Sequence, residues 1–168
     1  MSVLIVAGSL SAIAGGVGDR TVIHLIDPRG FASSGRTIGI QVGGGKTDII
    51  ATRTLSASEA AALRELLDRE LSDDGGVPMC GHLPAYAVQF FDGRQLLRTV
   101  TLCGLCGTWA SDGKLRVLEG RESLQMLERL LPLPDVFLGF KSPLDASPLM
   151  QKPMRTFHKL DSREPVEE

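Results

Sequence analysis

Apolar residues in the first half of the chain alternate with polar ones at a period of two. In "RTIGIQV" (36–42), Ile38, Ile40 and Val42 fall on one side, and Thr37, Gly39 and Gln41 on the other. "TVIHLID" (21–27) stops at Pro28, and "TDIIATRT" (47–54) follows the glycine run 43–45. Period-two runs bounded by glycine and proline predict strands, and the glycine run predicts a hairpin turn. The period then changes. In "SASEAAALRELLDRELS", Ala60, Leu63, Leu67 and Leu71 recur at helical spacing. Ser56 with Glu59 three positions later forms a capping-box pattern, and Asp73-Asp74-Gly75-Gly76 stops the helix. Strand patterning returns in "YAVQFFD" (86–92) and "QLLRTVTLC" (95–103), joined at Asp92-Gly93-Arg94. A second Asp-Gly, at 112–113, separates "GTWAS" from "KLRVLE". A second helix is predicted over about residues 121–131, with Leu124, Leu127 and Leu131 inward and Pro132 ending it.

This order predicts an α+β domain over residues 1–140. A mostly antiparallel sheet is packed on one face by the two amphipathic helices, because their apolar stripes must be buried. Prolines recur at 134, 143, 148, 153 and 165, so 141–168 is predicted to be an irregular, partly disordered tail, with "VFLGF" (136–140) as the last anchored piece. The uncharged start, residues 1–18, reads as a buried strand from Val3 to Ala7 and a Gly/Ser loop. The alternative is an export signal, suggested by Ala12-Ile13-Ala14 but lacking a basic n-region.

Composition narrows the function classes. The 168 residues carry a net charge of −2, so there is no general attraction to nucleic acid or anionic lipid. One Trp, one Tyr and six Phe make a base-stacking platform an unfavoured reading. No run approaches the roughly 20 apolar residues of a membrane span. Three cysteines, an odd number, fit a reducing, cytoplasmic compartment better than a disulfide framework.

The chemistry-bearing residues concentrate in two stretches. "LCGLCG" holds Cys103 and Cys106, and "CGH" holds Cys80 and His82. A Cys-x-x-Cys-Gly turn at a strand end lets two thiolates face one ion, and Cys80 with His82 completes a Cys₃His set suited to structural zinc. The hairpin between the two stretches returns the chain, so the halves are expected to meet at one end of the sheet. Four protein ligands leave no open coordination position, so such a site pins the fold without catalysing anything. A second reading is thiol-disulfide chemistry at Cys103 and Cys106. It is weakened by Gly107, Thr108 and Trp109, which are poor material for the helix that lowers such a thiol's pKa. A third is a set of buried thiols, or one structural disulfide with a spare thiol, the latter in an exported binding module.

Other candidates are bland. His24 reads as a satisfied structural histidine, His158 as solvated, Trp109 as core and Asp73-Asp74 as a helix stop. "VGGGKTD" (42–48) mimics a phosphate loop, but Ile40 stands where that motif needs glycine and a strand follows it. No catalytic constellation stands out. The expectation is a non-enzymatic accessory protein whose partner is another protein.

From helix to helix the chain resembles an uncharacterised family of small bacterial proteins. The matching segments are "LSASEAAALRELL" (55–67), "CGHLPAYAVQF" (80–90), "TLCGLC" (101–106) and "LQMLERLLPLP" (124–134). The resemblance implies that the three cysteines belong to the shared pattern. It also implies that the position of His82 varies, leaving three sulfurs with another ligand, or a disulfide with a spare thiol. Several members of that family are exported. No activity comes with the resemblance.

Overall fold

The computed structural model describes residues 19–140. The expectations for residues 1–18 and for 141–168, His158 included, lie outside the described residues. Seven strands form one antiparallel sheet in the order β2-β3-β1-β4-β5-β6-β7. They are β1 (Asp19–Ile26), β2 (Thr37–Gly39), β3 (Lys46–Thr54), β4 (Tyr86–Asp92), β5 (Gln95–Cys103), β6 (Thr108–Ser111) and β7 (Lys114–Val117). Two helices, α1 (Ala57–Glu70) and α2 (Glu122–Leu130), and a 3₁₀ turn (Asp135–Phe140) complete an α+β architecture. Among the described residues no helix is long and apolar enough to cross a membrane.

Most predicted strands form, but the one expected over 36–42 shrinks to Thr37–Gly39. Ile40 N instead donates to Gly45 O at 2.8 Å, and Gly43 and Gly44 take φ of +75° and +67°. The glycine run therefore makes a left-handed turn into β3, with no helix N-terminus to receive a phosphate. The three-residue edge strand follows from that early turn.

Alternation along the strands gives the sheet two unlike faces. Ile23 and Leu25 of β1, Val88 of β4, Val100 and Leu102 of β5 and Trp109 of β6 are buried in one cluster. Leu63 and Leu67 of α1 and Leu124, Met126 and Leu127 of α2 belong to the same cluster. The intervening residues face the other way and are mixed: Ile26, Ile38 and Ala87 form a second, smaller apolar cluster, while His24, Thr99, Thr101 and Thr108 are buried polar residues. His24 Nδ1 meets Thr52 Oγ1 at 2.9 Å and its Nε2 meets Gln89 Oε1 at 3.0 Å, across β3, β1 and β4. His24 is thus the satisfied structural histidine that its strand context predicts.

The helix ends are fixed in different ways. The capping box at Ser56 is present: Glu59 N donates to Ser56 Oγ at 3.3 Å, and Ser56 N donates to Glu59 Oε2 at 3.0 Å. At the start of α2, Arg121 makes no side-chain cap. The carboxylate of Glu70, at the end of α1, takes that role. It accepts from Glu122 N at 2.7 Å, from Ser123 N at 3.2 Å and from the Ser123 hydroxyl. A Cβ on Gly120 would lie 2.7 Å from Glu70 Oε1, so glycine is what lets the carboxylate reach the helix.

Two substitutions separate these devices. Ser56→Ala is expected to cost about 1 kcal/mol in urea melts. Glu70→Ala, which strips buried N–H donors of their acceptor, is expected to cost about 2–4 kcal/mol. Equal losses in the two melts would remove the tertiary cap from this account.

Candidate functional site

The cysteines are positioned by the loop between α1 and β4 and by the turn between β5 and β6. The loop is tied to the sheet along its length. Val117 N donates to Gly76 O at 3.1 Å, and Ala85 N donates to Leu102 O at 3.2 Å. Between these ties His82 bridges two strands, its Nδ1 2.9 Å from Thr108 Oγ1 and its Nε2 2.9 Å from Thr101 Oγ1. Thr101 and Thr108 are fully buried, on the sheet face opposite Leu102 and Trp109. The ties hold the Cys80 segment over the β5–β6 turn.

The turn itself is a knuckle. Cys103 ends β5 with no exposed surface, and Cys106 N donates to its Sγ at 3.4 Å. Gly107 takes φ of +60°, and its carbonyl accepts from Leu118 N at 2.8 Å. The left-handed glycine folds the backbone back so that an amide points at sulfur. Cys106 is half-buried and Cys80 is exposed, and all three thiols are free.

The Cys106 side chain meets those of Cys80 and Cys103. The Cys106 thiol is pushed up to about 12, first by burial and then by hydrogen bonding and charge from its neighbours Cys80 and Cys103. Three sulfurs from two distant stretches therefore share one environment. Any second negative charge there is disfavoured unless a cation offsets it.

His82 does not join the sulfurs, because both of its ring nitrogens are occupied by threonine hydroxyls. Burial lowers its pKa from 6.5 to about 4, so the ring is neutral at neutral pH. No local signal points to this, because Thr101 and Thr108 become neighbours of residue 82 only through the pairing of β5 with β6. The donor chemistry of three cysteines suits zinc or another thiophilic ion. Among the described residues, no three or more His, Cys, Asp or Glu side chains already stand as a metal shell. Neutral thiols have no attraction that draws them to such spacing, whereas a divalent cation supplies one.

A sequence-distant group borders the knuckle. Nη2 of Arg121, at the start of α2, would lie 3.8 Å from a Cβ on Gly107. Its Nη1 is buried without a hydrogen-bond partner. Arg121 looks like an ordinary helix-flanking residue in sequence, and only the packing of α2 brings it here.

No protein-family model, curated protein or solved structure matches the chain.

The His82 environment sets a pH dependence. Its folded pKa lies below its unfolded value, so its contribution to stability is complete above about 6.5 and is lost as pH falls toward about 4. Over that window the loss from this group is at most about 3 kcal/mol. Urea melts of wild type and His82→Gln between those limits isolate it: the variant's stability is expected to fall less steeply on acidification. Parallel acid limbs would remove His82 as the cause.

Proposed function

We propose that this protein is a non-enzymatic bacterial accessory or interaction protein whose cysteine cluster is a structural zinc staple. The observation that carries the reading is the meeting of Cys80 with Cys103 and Cys106. A metal shared by these sulfurs ties the α1–β4 loop to the β5–β6 turn and adds its binding energy to folding. Both helices lie on one face of the sheet in this reading, supported by their shared cluster with Leu102 and Trp109. The loop and turn are left to act on the opposite side.

The thiol-redox alternative is less well supported. Cys103 has no exposed surface for a substrate disulfide to reach, and the raised pKa of Cys106 keeps it a thiol. A protein partner is favoured by the exposed apolar residues flanking Cys80. Val77 is 73% exposed, Met79 is fully exposed and Leu83 is 42% exposed. The negative net charge supports a partner other than nucleic acid. The odd cysteine number supports a reducing, cytoplasmic location. One specific contact favours a second reading: exposed Cys80 touches Cys106, which suits a structural disulfide in an exported binding module.

One experiment separates them. Protein purified under reducing conditions is expected to carry about one zinc per chain and to melt at lower temperature after chelation. Cys103→Ser and Cys106→Ser are each expected to lose that metal. No bound metal and an unchanged melt would overturn the staple. A Cys80–Cys106 bridge found by non-reducing mass mapping would install the disulfide reading instead.

A further inference from the structure

The two edges of the sheet differ. β7 forms one, and the chain itself takes up its outward backbone groups. Val117 N donates to Gly76 O at 3.1 Å, and the Leu115 carbonyl accepts from Arg116 Nη1 at 2.8 Å. β2 and β3 share the other edge. β2 pairs with β3 only at residues 46–48 of the longer strand. Beyond that point β3 continues to Thr54 with no strand on its outer side among the described residues.

Strand register says which groups are left over. Leu55 N donates to Thr21 O at 3.0 Å, and Val22 stands opposite Thr54. In an antiparallel ladder hydrogen-bonded pairs alternate with non-bonded ones, so Ile23–Arg53 and Leu25–Ala51 are bonded pairs. The same alternation turns Ile26 N toward the β4 side, where it donates to Ala85 O at 2.9 Å. Thr52 and Thr54 are the alternate residues of β3, so their N–H and C=O groups point away from β1, to the open edge. The opening has definite ends. Ile49 N donates to Arg36 O at 2.7 Å on one side, and Ser56 N donates to Glu59 Oε2 at 3.0 Å on the other. Between them Ile50, Thr52, Arg53 and Thr54 are exposed.

An open edge is a template for one more strand. Residues 3–7, Val-Leu-Ile-Val-Ala, are a strand-type run with neither charge nor proline, the features that keep a segment off an edge. The chain enters β1 at Asp19, past the Thr54 end of the opening. From there to the outer side of Thr52 is about 10 Å across two strand spacings and about 17 Å along β3. Residues 8–18 reach about 36 Å when extended, so they span that path. The tether also gives residues 3–7 a higher effective concentration at this edge than a second copy or a free peptide has.

We propose that residues 3–7 pair along the open outer edge of β3, at Thr52 and Thr54, as a further strand of the sheet. The pairing satisfies the N–H and C=O of both threonines and covers an apolar run. It makes the segment part of the fold rather than an export signal, and it is independent of the cysteines.

NMR of the full chain tests it, by amide hydrogen exchange and by nuclear Overhauser contacts. The Ala51 and Arg53 amides, which face β1, are the internal reference. The Thr52 and Thr54 amides are expected to exchange about 100-fold slower than in an unpaired chain and to show contacts with backbone protons of residues 3–7. Ile5→Pro is expected to speed Thr52 and Thr54 about ten-fold or more while leaving Ala51 and Arg53 unchanged.

Free exchange at Thr52 and Thr54 in the wild type overturns the proposal, as does protection without contacts to residues 3–7. Protection that survives Ile5→Pro overturns it too. Protection that rises with protein concentration assigns the edge to a second copy and also overturns it. If Ile5→Pro speeds all four amides alike or fails to fold, the wild-type contacts decide alone.

Discussion

A neutral imidazole held between two buried hydroxyls fixes the loop that carries Cys80. His82 joins Thr101 on β5 to Thr108 on β6 and anchors the loop that carries Cys80. The backbone ties at Gly76 and Ala85 lie on either side of it. Burial keeps the ring uncharged, because its charge would be poorly solvated where it sits. The meeting of the three sulfurs follows from this constraint as much as from the knuckle.

The sheet makes such a site possible by having unlike faces. Val100, Leu102 and Trp109 are buried in one apolar cluster, and the alternate residues Thr99, Thr101 and Thr108 project to the opposite side. There the polar side chains satisfy one another across strands. His24 spans Thr52 and Gln89, and His82 repeats the device nearer the other edge. Buried polar groups on a strand face are costly alone and stable when paired. Cys103 takes its place at the end of that same row.

The helices are coupled by a carboxylate as well as by packing. Glu70 ends α1 and caps α2, so the start of α2 is set by the position of α1. Arg121 is the residue just before α2, and its approach to Gly107 depends on where that helix begins. The core side of the molecule thus governs what borders Gly107.

Elements whose signals are local are legible in the chain alone. The Ser56–Glu59 box, the leucine spacing of α1, the Asp92-Gly93 turn and the glycines at 43–45 each act through neighbours a few positions away. The same local signals place Cys103 and Cys106 in a turn at a strand end. What tertiary structure decided are the pairings between residues far apart in the chain. Thr101 and Thr108 take both nitrogens of His82 because β5 and β6 are in register at that point. Glu70 reaches α2 because Gly120 leaves it room, and Arg121 reaches the knuckle because α2 starts there. Periodicity encodes which side of an element is apolar, but not which polar group on a distant element arrives opposite it. Here that meeting is set by strand register and helix packing together.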